Sequence, residues 1–159
     1  MRRFLASAAA VLLADQASKA IARSLLDDGA IVPLLGEWLR LRLVHNPGAA
    51  FGLFHGGRWL FVVISLASMA MILYLILSRR HVFAGSLIAF GCVFGGALGN
   101  LLDRLWLSGV TDFIDMGVGP HRWPTYNVAD MGVTLGVLYL GIGFLLLDSG
   151  GREARPRDA

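Results

Sequence analysis

The chain has 159 residues, 56% of them hydrophobic and only 16% charged, with a formal net charge of +3. A soluble domain is about 45–50% apolar and about 25% charged, so this composition, with a mean hydropathy of +0.65, points to one membrane-embedded domain. The basic balance does not indicate a nucleic-acid partner, because the arginines stand at the ends of apolar runs and form no basic face; it indicates positive-inside membrane topology.

Four apolar runs follow along the chain, at roughly 4–26, 59–78, 83–102 and 127–147. Each matches the ~20 residues that cross a bilayer core. The first opens like a signal peptide, "MRRFLASAAAVLLA", but continues through Asp15 and Lys19 to Arg23, too long for a cleaved segment, and reads as a retained span. Arg2 and Arg3 precede it, Arg79 and Arg80 join the second and third runs, and Arg152, Arg155 and Arg157 follow the fourth. Four crossings place all of these on one side, so both termini are expected to be cytoplasmic. Arg40, Arg42, Arg58 and Arg122 fall on the other side and reduce the contrast. Residues 1–148 then form a single embedded domain, and 149–159, "SGGREARPRDA", a disordered polar cytoplasmic tail.

Two segments remain for the outer face, about 27–58 and 103–126. In "EWLRLRLV" the leucines Leu39, Leu41 and Leu43 alternate with Arg40 and Arg42, the period-two pattern of a half-buried strand. Lying against a membrane, it would turn leucines to lipid or protein and arginines to phosphates. "HNPGAAFG" reads as a turn, because Pro47 restricts one φ and Gly48 frees the next.

Cys92 is the only cysteine and falls in an apolar run, the setting of a small core residue. The four histidines have no HxxxH or HExxH spacing, so no metal site or cofactor is expected.

Charges inside the spans are costly, about 2.5–3.5 kcal/mol each on insertion scales. Asp15 and Lys19, at i and i+4, can pair on one helix and orient it against its neighbours. Gly95 and Gly99 form a small-xxx-small pair that lets helices approach closely. Asn100, Asp103 and Arg104 gather at the outer end of the third run, where snorkelling and helix termination explain them as well as a site does.

Asp112 lies in the outer linker and Asp130 about one turn into the fourth run, so both can reach one depth near the outer surface. Two carboxylates close together in a poorly hydrated site share one proton. The ionised member can take a proton from water while the protonated one polarises a carbonyl, which is peptide hydrolysis without metal or covalent nucleophile. Asn127, three residues before Asp130, would share its helical face and orient it. The same spacing also fits carboxylates that merely sit at an interface. Asp115 is assigned to the loop, with no catalytic role.

"DQASK" (15–19), "NPGAAFG" (46–52), "GGALGNLLDRLWLSGVTDFID" (95–115) and "YNVADM" (126–131) occur in order, each beside its own span. Together they resemble lipoprotein signal peptidase, or signal peptidase II, a family of bacterial inner-membrane aspartic proteases. The resemblance runs nearly end to end, excluding the tail. It implies an all-α membrane protein of four transmembrane helices with a small extracytoplasmic β-cradle that lies on the membrane and embraces the substrate. It implies Asp112 and Asp130 as the catalytic dyad, on the outer (periplasmic) side. The family's other polar pocket residues fall on Asp15, Lys19, Asn46, Asn100, Asp103, Arg104 and Asn127. Thr111 stands where valine is frequent and Tyr126 where phenylalanine is frequent; neither change removes a functional group. The implied activity is removal of the signal peptide from diacylglyceryl-modified prolipoproteins by cleavage before the lipidated cysteine. Membrane lipids are the other expected partner, and the protein is expected to be a monomer.

Two readings from other classes compete. A small proton-coupled transporter would relay charge through Asp15 and Lys19, but it calls for carboxylates near the midplane and usually internal repeats, whereas the polar cluster here sits at one edge of a chain without repeats. A non-catalytic membrane subunit accounts for the spans but not for the ordered polar motifs.

Overall fold

The computed structural model describes residues 1–48, 57–78, 83, 85–107 and 109–153, with side chains to 146. Among these residues four helices are long and apolar enough to cross a membrane. They are α1 (Arg2–Leu25), α2 (Arg58–Leu77), α3 (Ser86–Trp106) and α4 (Val128–Glu153). Two limits differ from the sequence reading. Helix α3 runs four residues beyond the expected end at 102, because Asp103 is neutralised within it and gives the helix no reason to stop. Helix α4 continues to Glu153, so residues 149–153 are helical rather than disordered: extending a formed helix costs far less than nucleating one. Residues 154–159 lie outside the described residues, as do 49–52 of the expected turn; Pro47 and Gly48 do form a bend.

Helix α3 is the centre of the bundle. The small-residue stripe extends from Gly95 and Gly99 to Gly91, and a methyl group on any of the three would collide with α1. At Gly91 and Gly95 the obstacle includes backbone of α1, and at Gly99 it is the Asp15 carboxylate. Close approach of the two helices, together with room for a buried charge, therefore depends on glycine. Phe4, Ile72, Ile76 and Phe90 form a core joining α1, α2 and α3, and Leu140 of α4 packs against it.

At the opposite end of the bundle from the start of α1 and the end of α4, the inter-helix segments form one antiparallel sheet in the order β1-β2-β3-β4. Its strands are β1 (Ile31–Leu35), β2 (Leu39–Asn46), β3 (Val110–Val118) and β4 (His121–Arg122). The alternating leucines predicted a single strand; in fact each outer segment supplies two. Edge strand β1 tolerates Pro33, whose missing N–H costs nothing on an outer edge. Leu41 and Leu43 of β2 face protein, packing with Phe113 against Ala22 and Leu26 at the end of α1. The arginines, however, do not both face outward. Arg40 Nη2 lies 2.7 Å from Asp115 Oδ2, and Arg122 Nε of β4 lies 2.9 Å from Asp115 Oδ1. Asp115 is thus a buried strand residue, and the assignment to a loop is corrected: two guanidiniums tie it across three strands. Burial pushes its carboxyl up, but hydrogen bonds and charge from Arg122 and Arg40 outweigh burial and hold it below the usual carboxylate range.

Candidate active site

Asp15 and Lys19, in the middle of the first helix, are fully buried, each 0% exposed. Lys19 Nζ meets three acceptors: Asp15 Oδ2 at 2.8 Å, Asn100 Oδ1 at 2.8 Å and Asp103 Oδ2 at 3.3 Å. Three acceptors match the three donors of an ammonium group. The carboxylates then reach onward. Asp15 Oδ1 accepts the Ala129 N–H at the head of α4, and Asp103 Oδ2 accepts the Thr111 N–H at the start of β3, each at 2.9 Å. This cluster joins α1, α3, α4 and the sheet through charge-assisted bonds.

Asp112, predicted to lie in a linker, is a buried residue of central strand β3. Its Oδ2 accepts from Asn46 Nδ2 at 2.9 Å and its Oδ1 from Asn127 Nδ2 at 2.7 Å. Asp130 mirrors it on α4: Oδ1 accepts from Asn100 Nδ2 at 2.8 Å, and Oδ2 from the Asn127 backbone N–H at 3.2 Å. Asn127 is therefore the N-cap of α4 rather than a residue on its helical face. Its Oδ1 accepts the Asp130 N–H at 3.0 Å, completing a reciprocal capping box. Its amide, through Nδ2, also donates to Asn100 Oδ1 at 3.1 Å.

Both carboxylates open onto one cavity of about 240 Å³, lined also by Asn46, Phe61, Asn100, Arg104, Trp123 and Tyr126. Burial pushes Asp112 up to about 7, against the opposing hydrogen bond from Asn46 and with help from the charge of Asp130. At neutral pH Asp112 can therefore carry or release a proton. The Arg104 guanidinium stands over the Phe61 ring, 5.2 Å from its centroid, with one nitrogen donating to Asn100 O at 3.2 Å. Its buried Nε has no hydrogen-bond partner among the described residues. An apolar recess of about 480 Å³, lined by Met116, Met131, Thr134 and Leu135, adjoins the site and shares Trp123, Tyr126 and Asp130 with it.

Residues 7–146 match the family described as Signal peptidase (SPase) II. The chain belongs to the signal peptidase II family. It is 38% identical over 157 residues to the lipoprotein signal peptidase of Moorella thermoacetica, covering 96% of this chain and 99% of that one. It is 40% identical over 140 residues to the lipoprotein signal peptidase of Polynucleobacter necessarius, covering 84% and 83%. Two solved bacterial membrane enzymes share the fold. One has a TM-score of 0.83 at 26% identity, covering 99% of this chain and 96% of that one. The other has a TM-score of 0.79 at 27% identity, covering 91% and 94%. The chain is thus a membrane protease of this family, with the expected architecture of four apolar helices and a small sheet.

All nine residues singled out from the sequence fall in one connected network. Asn46, Asn100, Asn127, Arg104 and the two aspartates meet at the cavity or bond to those that do, while Asp15, Lys19 and Asp103 form the buried charge cluster behind them. The sequence reading missed the capping role of Asn127, although the spacing N-x-x-D just before an apolar run carries that signal. It also missed Arg23, which donates to Thr111 Oγ1 at 2.9 Å, and the pairing of Asp115 with Arg40 and Arg122. Those partners lie 88, 75 and 7 residues apart, and in the first two cases no local pattern could connect them.

Proposed function

We propose that the chain is a lipoprotein signal peptidase in which Asp112 and Asp130 form an aspartic dyad, cutting prolipoproteins immediately before a diacylglyceryl-modified cysteine. The observation that carries this reading is a single cavity holding two carboxylates linked through one asparagine, in a chain of the signal peptidase II family. The ionised carboxylate takes a proton from water as its oxygen attacks the scissile carbonyl carbon. The protonated carboxyl donates to the carbonyl oxygen, forming a neutral diol. Collapse of the diol breaks the C–N bond, and a dyad proton passes to the departing nitrogen. The products are a signal-peptide carboxyl group and the free amine of the modified cysteine. Arg104 offers donors to carbonyl groups of the substrate backbone, and the apolar recess beside Asp130 suits the hydrophobic part of such a substrate.

Residues 1–148 act as one peptidase unit and work as a monomer in the bacterial inner membrane. Both termini are cytoplasmic and the sheet is on the outer face. Support comes from the antiparallel passage of the four helices, which sets the sheet opposite the start of α1 and the end of α4, and from the arginines beside those ends. A dyad at that end meets the outer edge of a signal helix, where the bond to be cut lies. Membrane lipids hold the diacylglyceryl group at this depth, so the lipid positions the bond rather than supplying net affinity: its chains are already in an apolar medium. The transporter reading loses its motive, since Lys19 is saturated by three acceptors.

The test is turnover of a lipidated precursor by purified protein in detergent. The wild type should cleave it, and the same precursor with an unmodified cysteine should be cut far more slowly even at saturation. Asp112→Asn and Asp130→Asn should each abolish turnover. Substantial activity in either variant removes the aspartic mechanism, and equal kcat on the two precursors removes the lipid requirement.

A further inference from the structure

Thr111 immediately precedes Asp112 and is 0% exposed, yet all three of its polar groups are held from outside the sheet. Arg23 Nη1, in the last turn of α1, donates to its hydroxyl at 2.9 Å. Its N–H donates to Asp103 Oδ2 of α3 at 2.9 Å, and its carbonyl accepts from Asn127 Nδ2 at the head of α4 at 3.3 Å. Only the first bond depends on the side chain at 111; any residue but proline could make the other two.

The pairing of β3 with β2 is irregular just beyond Asp112. On the β2 side of β3 the register runs Leu41↔Ile114 and then Val44↔Asp112, so three steps on β2 oppose two on β3. This bulge interrupts the ladder between Ile114 and Asp112, while Asp112, Thr111 and Val110 stay paired with Val44, His45 and Asn46. Bonds from the helices add to this strand pairing at the residue before Asp112.

We propose that Thr111 is a positioning residue for the dyad and that Arg23 holds it through its hydroxyl, setting Asp112 against Asp130. The assignment rests on Asp112 belonging to the catalytic dyad. Arg23 is exposed, so Arg23→Met opens no cavity, although it leaves the buried Thr111 hydroxyl without this donor; Thr111→Val keeps the side-chain shape and deletes the hydroxyl itself. A misplacement well below the size of an atom is enough to slow a two-carboxylate reaction, because both groups must reach the same water and carbonyl.

The experiment measures kcat, KM and Tm of Arg23→Met, Thr111→Val, the double variant and Thr111→Ser on a lipidated precursor in detergent. Each of the first two should lose roughly tenfold or more in kcat, with KM within about twofold of wild type. The double variant should be no slower than the slower single, since both substitutions delete the same bond. Thr111→Ser, which keeps the hydroxyl, should recover most of the lost rate. Unchanged kcat in both single variants overturns the proposal, as do losses that multiply in the double variant or a serine variant as slow as valine. Failure of the dyad itself would show separately, as turnover by Asp112→Asn.

Discussion

Asn127 and Asp130 cap one another. The Asn127 side-chain oxygen accepts the Asp130 N–H at 3.0 Å, while Asp130 Oδ2 accepts the Asn127 N–H at 3.2 Å. The same Asn127 amide donates to Asp112 Oδ1 at 2.7 Å. A helix cap is thereby also the bridge between the two carboxylates, and the start of α4 sets their relative placement.

Capping and bridging can be separated by substitution. Asn127→Ala should lose about 1 kcal/mol from the cap alone, with turnover falling on the order of 10²-fold. Asn127→Ser can still cap α4 but offers no amide to Asp112. It should regain much of the thermal stability and little of the turnover. Recovery of both by serine would mean that the amide bridge is dispensable.

Ionisation of Asp112 should oppose folding. Its carboxyl, 3.8 in an ordinary setting, is pushed up to about 7. A raised value means that the folded chain binds the proton more tightly than the unfolded chain. The resulting stability is fully present below about 4 and lost as pH rises through about 7. Asp112→Asn cannot ionise, so its Tm should exceed that of wild type at pH 8–9 and approach it near pH 4. In wild type, kcat/KM should fall on the alkaline side with an apparent midpoint near 7, as the shared proton is lost. A Tm difference that does not change with pH would contradict the first expectation, and a flat rate profile from pH 6 to 9 the second.

Asp115 has the opposite sign. Its carboxyl is held low by Arg122 and Arg40, so its contribution is present above the usual carboxylate range and lost as pH falls through its folded value. Asp115→Asn leaves two partly buried guanidiniums without their counter-charge and should cost roughly 1.5–3 kcal/mol at neutral pH, less in acid. Asp115 is not among the residues lining the cavity, so turnover per folded molecule should stay near wild type at a temperature where the variant is folded. A large loss of kcat without loss of Tm would place Asp115 in the chemistry.

Lys19→Met should be the most damaging change to stability. It leaves Asp15 and Asp103 buried without their common cation, and breaking such a cluster from one side costs about 3–5 kcal/mol. The expected readouts are reduced yield of inserted protein and a large drop in Tm. A stable but inactive Lys19→Met protein would move Lys19 from support to substrate handling.

Much of this molecule is legible in the chain itself, wherever one local property decides the outcome. Apolar runs of membrane-spanning length specify the four helices, because a backbone in lipid must satisfy its own hydrogen bonds. Period-two leucines mark β2, glycines spaced by four mark the close face of α3, and carboxylates at the edge of apolar runs mark the pair that meets at the cavity. The tertiary structure alone decided the partners. It brought Asn46, Asn100 and Asn127 to the two aspartates, gave Lys19 a second carboxylate 84 residues away in Asp103, and set Arg23 on the hydroxyl of Thr111. It also made strand residues of Asp112 and Asp115, which the sequence reading had left in a linker. The reason is energetic. A buried polar group must find a partner or pay its desolvation, but any donor of suitable reach satisfies that demand. Which donor arrives depends on how the helices and the sheet pack together, and no spacing along the chain records it.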